Sequence, residues 1–400
     1  MSTSSAEFGE GYRRAVDVLG AAVVSEGILA STTERANYRR IWARDSVICG
    51  LAGLLDGDGR LIDGLASTLS TLRRYQGRHG EIPSNVSSDG VSYGGLAGRS
   101  DAAIWYLVGC ACLGRLDPTT IEEHRTAIRK ALWLLGAWEM NLRGLVYTPL
   151  GGTWADEYPL HGYILNVQLL RLWALRGLEL VMGVEAVVRE ADRVETAIRT
   201  NYWLDQPGGG AYHPTGYDAA LVRSGPSEHW VASFHPGGYS TIFDGLANAL
   251  ALMLDLGHGL EVAKALERVE SETGSALTPA YWPPIAPGDS AWDEVATYHA
   301  FGLRNEPYEF HNGGLWPMVT GWTAAGLARQ GDVGAAARLA SAIDDANGRQ
   351  GWGFYEYTSA RTLEACGVAH TTWSAAAAVI AHRFAADPEH AKKVLALEGS

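Results

Sequence analysis

The chain lacks several features that mark large classes of proteins. Charged residues make up only 19% of its 400 residues, lysine is sparse, and the formal net charge is −13. This negative balance argues against nucleic acid and anionic membranes as partners, although ordinary solubility also explains it. No run of 18 apolar residues occurs and the N-terminus has no apolar core, so we expect neither a membrane span nor a secretory signal. We therefore expect a cytoplasmic protein.

Cysteine pairs and cofactor motifs are also missing. The four cysteines form no CxxC motif and have no histidine cluster beside them, which favours structural thiols in a reducing compartment. The sequence has no HExxH metal motif, no phosphate-binding loop, no GxGxxG between a strand and a helix, and no GxSxG nucleophile motif. It therefore predicts a protein that uses neither a metal nor a cofactor.

Helical periodicity, in contrast, fills almost the whole chain. Apolar residues recur at i, i+3 and i+4, and alternating strand patterns are nearly absent. The pattern predicts twelve helices, many of them joined by turns of a few residues. Their approximate ranges are 10–30, 45–56, 60–77, 100–115, 120–142, 163–183, 185–203, 239–256, 259–273, 315–330, 333–348 and 369–385.

The predicted helices differ in polarity. Segments 163–183 and 239–256 are apolar nearly all round and belong inside the protein, whereas 120–142 carries a polar face. We therefore predict an all-α (α/α)6 toroid, in which six helical hairpins form an inner and an outer ring. The toroid is predicted as a single domain over residues 1–400, with a core of about 10–385. A stack of helical repeats is the alternative, but no fixed sequence period supports it.

Five long breaks interrupt the helical pattern and are rich in glycine, proline and aromatic residues. Loops longer than about 15 residues inside a compact domain are usually functional. In a toroid the connections from outer to inner helices lie at one end, so alternating long and short loops would gather the long ones on one face. We expect the functional site on that face. The long breaks are residues 78–99, 143–162, 204–238, 274–314 and 349–368.

Carboxylates beside aromatic residues are the feature of these breaks that suggests chemistry. Segment 308–317 (YEFHNGGLWP) combines a carboxylate, an imidazole, an amide and aromatic rings, the mixture of polar groups and flat surfaces that a sugar ring requires. Hydrolysis of a glycosidic bond needs one carboxylic acid and one carboxylate. Aromatic neighbours desolvate a carboxyl group and raise its pKa. Asp156 and Glu356, each with aromatic residues on both sides within two positions, fit best.

Each of the other polar clusters also has a structural interpretation. Arg44 and Asp45 could form an ion pair at a helix start, where the helix dipole favours a carboxylate. Asp101 could be a helix N-cap, and His311 with Asn312 could form a capped turn. All of these residues lie at predicted junctions of loops and helices, which favours one shared site.

Five short motifs, spread over nearly the whole chain, match motifs of a known family. HNGGxWP is the specific one and is matched in full. The five are WARD at 42–45, DAAIWY at 101–106, Asp156 followed by the segment 162–170, HNGGLWP at 311–317 and TWS at 372–374. They resemble the inverting glycoside hydrolases built on an (α/α)6 barrel, most closely the neutral/alkaline invertases and the glucosidase domain of glycogen-debranching enzymes.

The resemblance implies roles for individual residues. Asp156 would be the general acid and Glu356 the general base. The chain departs from the invertases where it reads WGFYEY instead of WPEYY, which moves the glutamate two places to Glu356, and where Asn166 replaces a glutamate. The second departure weighs against sucrose as the substrate. The implied substrate-binding residues are Trp42, Arg44, Asp45, Asp101, Trp105, Tyr163, Gln168, Glu309, His311, Asn312, Trp316, Tyr355 and Trp373.

The leading hypothesis is an exo-acting, inverting glycoside hydrolase that acts on a small α-glucoside. Its partner would be a small-molecule carbohydrate, and a homo-oligomer is possible. Sucrose invertase is the alternative within this class. A sugar epimerase or lyase on the same toroid is the alternative of another class, since such epimerases use histidines, and a carbohydrate-binding protein with an inactive site is the third. The histidines available for epimerase chemistry include His161, His235, His299 and His311.

Overall fold

The structure is a computed structural model that describes residues 8–35, 37–87, 99–155, 157–208, 210–297, 302–349 and 351–398. The chain is mostly helical, with fifteen helices in these ranges. They are α1 (Glu10–Ala21), α2 (Ala43–Asp56), α3 (Gly59–Arg74), α4 (Asp101–Leu116), α5 (Thr119–Ala137), α6 (Leu165–Met182), α7 (Glu185–Tyr202), α8 (Pro214–Ser224), α9 (Gly245–Met253), α10 (Gly259–Thr273), α11 (Trp292–Thr297), α12 (Pro317–Arg329), α13 (Val333–Arg349), α14 (Thr372–Ala386) and α15 (Pro388–Val394).

Among the described residues, ten short strands lie in the connections between these helices. Three antiparallel pairs join β1 to β2, β3 to β4, and β9 to β10, and a four-stranded antiparallel sheet has the order β5-β6-β7-β8. The strands are β1 (Val23–Val24), β2 (Gly27–Ile28), β3 (Ile41–Trp42), β4 (Asn85–Val86), β5 (Tyr163–Ile164), β6 (Val231–His235), β7 (Gly238–Asp244), β8 (Tyr281–Trp282), β9 (Tyr357–Thr358) and β10 (Ala365–Cys366).

Six helices are buried on nearly all sides and pack in a closed series. Helix α2 packs against α4, α4 against α6, α6 against α9, α9 against α12, α12 against α14, and α14 returns to α2. A second set lies outside them, because α3, α5, α7, α10, α13 and α1 each pack on one or two inner helices and carry an exposed polar face. Trp105, Trp173 and Trp322, from three inner helices, pack together with ring centroids 5.6 to 6.4 Å apart.

Small residues let the inner helices approach closely. A Cβ atom placed on Gly321 of α12 would lie 2.8 Å from backbone atoms of Ala377 in α14, and one on Gly326 would lie 2.7 Å from the carbonyl oxygen of Ala249 in α9. Real Cβ atoms do not approach other atoms so closely. The spacing between neighbouring inner helices therefore depends on these glycines.

The long and short connections alternate along the chain. The inner helices are followed by short turns, such as 57–58, 117–118 and 183–184, whereas long segments lead from each outer helix to the next inner one. The long segments therefore meet the inner helices at their N-terminal ends. None of the helices among the described residues has the length and apolarity to cross a membrane.

The sheet and several helix ends differ from the sequence prediction. The predicted helix 10–30 ends at Ala21 and is followed by the β1–β2 hairpin. The predicted helix 239–256 is a strand as far as Asp244, and α9 begins only at the next residue. Short apolar runs have no decisive period, so a strand that leads straight into a helix is easily taken as part of it. The fold is therefore mostly helical rather than all-α, and α8, α11 and α15 were not predicted.

Two glycine-to-alanine variants test the close packing of the inner helices. We expect Gly321→Ala to destabilise the protein by about 1–3 kcal/mol, because the added methyl group overlaps the α14 backbone. Gly136→Ala in outer helix α5 is the matched control. Its Cβ meets no atom within 4 Å, and alanine is the better helix former, so stability should hold or rise slightly. Urea denaturation followed by circular dichroism measures both changes, and equal midpoints for the two variants would contradict the close approach.

Candidate active site

A cavity of about 830 Å³ opens where the long connections meet the inner helices. Its wall combines four arginines and four carboxylates with aromatic rings. The lining residues are Arg35, Asn37, Tyr38, Arg40, Trp42, Arg44, Asp45, Trp154, Leu303, Arg304, Glu306, Glu309, Phe310, His311, Trp316, Glu356, Tyr357, Gly367, Val368 and Trp373. Its volume lies within the range that holds a small ligand.

Glu356 is a buried carboxyl group on this wall, with 4% of its surface exposed. It lies just before strand β9. The Tyr38 hydroxyl donates a hydrogen bond to its Oε1 atom. Burial raises the pKa of Glu356 to about 7, while the hydrogen bond from Tyr38 and the positive charge of Arg304 act in the opposite direction. A carboxyl group with a pKa near neutral can serve as a general acid or base.

Gly367 leaves the space that the Glu356 side chain occupies. A Cβ atom at this position would lie 2.5 Å from Oε2 of Glu356 and 2.6 Å from its Cβ. Gly367 also has a φ of +83°, a left-handed conformation that favours glycine. The position of this carboxyl group therefore depends on a residue without a side chain on the neighbouring segment.

A buried ion-pair cluster occupies another part of the wall, at the N-terminal ends of α2 and α4. Arg44 Nη1 lies 3.0 Å from Asp101 Oδ2, and Arg44 Nη2 lies 3.3 Å from Asp45 Oδ2. The guanidinium group also lies 5.1 Å from the ring centroid of Trp373. Burial raises the pKa of Asp45 to about 6, against the lowering effect of Arg44. Both carboxylates thus share one cation in a desolvated setting.

Aromatic rings form a box beside this cluster. His311 stacks on Trp316 with centroids 5.0 Å apart and an interplanar angle of 6°. Trp154 and Trp373 meet Trp316 edge-on, at 5.2 and 5.6 Å. The indole N–H groups of Trp154 and Trp373 are buried and have no hydrogen-bond partner among the described residues. The box therefore offers two unused donors together with flat apolar surfaces.

The structure brings together most of the residues that the sequence singled out. Those on the cavity wall are Trp42, Arg44, Asp45, Glu309, His311, Trp316, Glu356 and Trp373. Asp101 does not line the cavity but forms an ion pair with Arg44, which does line it. Asp156, the predicted general acid, lies outside the described residues. Its role therefore stays a prediction.

Five further predicted binding residues lie away from the wall. Trp105 lies in the core among the inner helices, and Tyr163 packs against Tyr147 and Phe234. Tyr355 is half-buried beside Glu356 but does not reach the cavity.

The side-chain amides of the other two residues, Gln168 and Asn312, form hydrogen bonds with backbone groups. Gln168 accepts a hydrogen bond from the Val146 N–H and donates to the carbonyls of Val146 and Ile164. Asn312 bonds to both backbone groups of Ile285. These amides are already occupied, so the structure gives both residues a role in holding loops rather than a place on the cavity wall.

Several wall residues were not predicted from the sequence. Tyr38 and Arg304 touch or face Glu356, and Tyr357, not Tyr355, is the tyrosine that lines the cavity. Arg304 is fixed by an ion pair with Glu157, at 2.8 Å. No motif marks these residues, because their distance from Glu356 along the chain conceals their closeness in space. Nothing in the local sequence separates Tyr357 from Tyr355, because both flank Glu356 directly.

The described residues contain no group of three or more His, Cys, Asp or Glu side chains that could hold a metal ion. Of the histidines considered for epimerase chemistry, His161 and His235 stack on each other, with centroids 4.7 Å apart, and do not line the cavity. His311 does line it. His299 lies outside the described residues.

Sequence comparisons identify relatives of this chain. No protein-family model matches it. Two similar proteins come from Arabidopsis thaliana. Probable alkaline/neutral invertase D is 22% identical to this chain over 422 residues, and alkaline/neutral invertase CINV1 is 22% identical over 418 residues. Each alignment covers 90% of this chain, with 78% of the first relative and 75% of the second. The chain is a distant homologue of the alkaline/neutral invertases.

Solved structures of glycoside hydrolases share the fold. The GH63 mannosylglycerate hydrolase from Thermus thermophilus, in complex with Tris and D-glycerate, has a TM-score of 0.64 and 17% identity, and the match covers 92% of this chain and 99% of that one. A bacterial glucoamylase complexed with acarbose has a TM-score of 0.66 and 17% identity, and the match covers 97% of this chain and 56% of that one. The fold is that of these glycosidases.

Removal of the shared cation tests the electrostatics of the cavity. We expect Arg44→Met to lower the free energy of unfolding by about 3–5 kcal/mol at pH 8, because it leaves buried carboxylates without their partner. The loss should be smaller at pH 5. The pKa of Asp45 is already raised in the folded state and rises further without Arg44, so at pH 5 the group is protonated and carries no unpaired charge.

The control for this variant is Arg189→Met, which breaks an exposed ion pair with Glu185 on α7. Exposed pairs contribute about 1 kcal/mol or less, so this change should cost little at either pH. Urea denaturation at both pH values measures the two variants. A loss for Arg44→Met that is the same at pH 5 and pH 8 would contradict the proposed burial of charge.

Proposed function

We propose that the closed series of inner and outer helices is an (α/α)6 toroid and that the protein is an exo-acting, inverting glycoside hydrolase for a small α-glucoside. The observation that carries the proposal is Glu356. It is a buried carboxyl group with a pKa near 7, on the wall of a cavity lined by tryptophans and arginines. The glycosidase fold and the distant homology to invertases support the same class.

In this mechanism two carboxyl groups act on opposite sides of the scissile bond. Asp156 donates its proton to the glycosidic oxygen as the bond to the anomeric carbon breaks. Glu356 takes a proton from a water molecule whose oxygen bonds to that carbon from the other face. The two groups should lie about 6.5–9.5 Å apart, which leaves room for the water. No cofactor is required, because acid, base and water complete the reaction.

The rest of the wall fits the task of holding a sugar. Tyr38 and Arg304 favour the ionised form of Glu356 and so keep it able to accept a proton. The buried Arg44–Asp45 pair and the two unused indole N–H donors can bind hydroxyl groups, while the aromatic box offers the flat surface on which a pyranose packs. These groups belong to the subsite for the sugar ring in our proposal.

Among substrates we favour a glucoside with an acidic or polyol leaving group over sucrose. The described cavity wall has as many arginines as carboxylates, although acidic residues outnumber basic ones by 45 to 32 in the whole chain. Asn166, where the invertases have glutamate, also weighs against sucrose. A solved structure of the same fold, the mannosylglycerate hydrolase, was obtained with D-glycerate. Sucrose hydrolysis remains the alternative.

An epimerase is the candidate of another class. His311 is the one histidine of the three described candidates that lines the cavity, and it stacks flat on Trp316. An acid–base pair of histidines is therefore not assembled by these residues. The count of reducing ends separates the classes, since an epimerase leaves it unchanged and a hydrolase increases it.

A substrate screen with variants tests the proposal. The purified protein is incubated with α-linked glucose disaccharides, sucrose, trehalose, glucosyl-glycerate and glucosyl-glycerol, and released glucose is measured. Proton NMR of the first product should show the β-anomer, because a single displacement inverts the anomeric carbon. Asp156→Asn and Glu356→Gln should each lower kcat by about 10²–10⁴-fold. The matched control is Asp293→Asn, an exposed carboxylate on α11, which should keep parental rates.

The two catalytic variants should differ with the leaving group. α-Glucosyl fluoride, whose departing fluoride needs no proton, should partly rescue Asp156→Asn but not Glu356→Gln, which still lacks a base. First appearance of α-glucose would show a retaining mechanism and overturn the role given to Glu356. Parental rates in Glu356→Gln would move the base to Glu309 or Glu157.

The hydrogen bond from Tyr38 to Glu356 leads to a separate prediction about the pH dependence of activity. The phenol stabilises the ionised carboxylate, so Tyr38→Phe should raise the pKa of Glu356. Because the base must be ionised, the acidic limb of the kcat/KM profile should move to higher pH, and activity at pH 6 should fall more than activity at pH 8. Tyr75→Phe, at the end of α3 and outside the cavity wall, is the control. An unchanged acidic limb in Tyr38→Phe would separate Glu356 from the rate-controlling titration.

A further inference from the structure

A second buried carboxyl group lies at the N-terminal end of inner helix α9. Asp244 is fully buried, does not line the cavity, and forms no ion pair among the described residues. Its Oδ1 atom accepts a hydrogen bond from the Ala247 N–H, 2.9 Å away, and caps the helix. Burial raises the pKa of Asp244 to about 6. A buried carboxyl group is costly, and a helix cap alone does not require its second oxygen.

The second oxygen of Asp244 begins a chain of hydrogen bonds that leads toward the cavity. Asn166 Nδ2 donates to Asp244 Oδ2 over 2.8 Å. Asn166 Oδ1 in turn accepts from Thr153 Oγ1 over 3.1 Å. All three side chains are buried. Thr153 is followed directly by Trp154 of the aromatic box. This series of hydrogen bonds therefore ends beside a residue of the cavity wall.

Aromatic stacking joins the same segment to the strand beside Asp244. Tyr158 stacks on Tyr281 with centroids 4.2 Å apart and an interplanar angle of 9°, and Trp154 stacks on Tyr281 at 6.4 Å. Tyr281 is the register partner of Asp244 in the β7–β8 pair. The residues on both sides of Asp156 in the sequence are thus held against the end of α9 by rings as well as by hydrogen bonds.

The four-stranded sheet brings these groups together. Strand β5 leads directly into α6, where Asn166 is the second residue, and β7 ends at Asp244, the N-cap residue of α9. Because β5, β6 and β7 are neighbours in one sheet, the starts of α6 and α9 are set side by side. Asn166 is also one of the two places at which the chain departs from the invertase pattern, and a glutamate there would bring two carboxylates together.

We propose that Asp244 is a positioning residue that, through Asn166 and Thr153, fixes Trp154 on the cavity wall. The proposal rests on the proposed function, in which Asp156, two residues later in the sequence, is the general acid. Asp244 touches no substrate. Its effect on the reaction is the placement of Trp154 and of the neighbouring acid relative to the sugar. Displacement of a catalytic group by about 1 Å can cost up to about 100-fold in rate.

Single and exchanged variants separate this role from helix capping. Asp244→Asn can still cap α9 through its carbonyl oxygen, but its NH2 group then faces the NH2 group of Asn166. Asn166→Asp leaves the cap intact and sets two carboxylates against each other. In the double variant Asn166→Asp/Asp244→Asn, the new amide at 244 donates to the new carboxylate at 166, and Thr153 keeps its acceptor. The double variant therefore restores both side-chain hydrogen bonds of this series. Between positions 166 and 244 the donor and the acceptor are exchanged.

We expect each single variant to lower kcat about 10- to 100-fold and the double variant to recover to within about 5-fold of the parent. The loss should be larger for substrates with poor leaving groups than for α-glucosyl fluoride, since the acid's placement is what changes. Thr323→Val on α12 is the matched control, because it removes a buried hydrogen bond to Thr278 outside this chain of hydrogen bonds and should keep the parental kcat.

A second measurement needs no substrate. In protein labelled with 5-fluorotryptophan, the 19F resonance of Trp154 is assigned by its loss in Trp154→Phe. This resonance should shift in both single variants and return in the double variant. Shifts without any glycoside hydrolysis in the parent would uphold the positioning of Trp154 and reject the proposed function. An unmoved resonance, single variants that keep parental kcat, or a double variant no better than the singles would overturn the inference.

Discussion

Closure of the inner series of helices is the constraint on which the rest of the structure depends. Once α14 packs against α2, the connections that enter the inner helices must cross the same end of the molecule. Residues that are far apart in the sequence are then brought to one wall: Tyr38 meets Glu356, and Arg44 meets Trp373. Close helix contacts, such as Gly321 against Ala377, make this closure possible.

Burial of carboxyl groups is a second feature of this end of the molecule. Glu356, Asp45 and Asp244 all have raised pKa values, and burial is the largest cause in each case. The groups that oppose this effect differ. Glu356 has a phenol and a nearby arginine, Asp45 has an adjacent guanidinium group, and Asp244 has an amide and the start of a helix. The roles that we propose for these three groups, a base, a binding group and a positioning residue, therefore rest on one physical effect modulated by different neighbours.

The distribution of correct and missed predictions follows from the range of the interactions. Helices with a long amphipathic or apolar pattern, such as 185–203 and 333–348, could be predicted because their signal is local. The sheet around β7 was missed because β5 is only two residues long and because β5 and β7 both lead straight into a helix. Residues within motifs, such as His311, were found on the cavity wall, whereas Tyr38 and Arg304 were not predicted. Gln168 and Asn312 have polar side chains that the backbone already occupies.

The sequence by itself determined the helical class, the alternation of long and short connections, and the junctions at which polar and aromatic residues gather, because each depends on residues close together in the chain. Tertiary structure decided which of those residues share a cavity, which carboxyl groups are buried away from water, and which side-chain amides form hydrogen bonds with the backbone. Partners such as Tyr38 and Glu356 are 318 positions apart, and the pKa of a carboxyl group depends on the atoms that surround it in space. Only the packed fold supplies those surroundings.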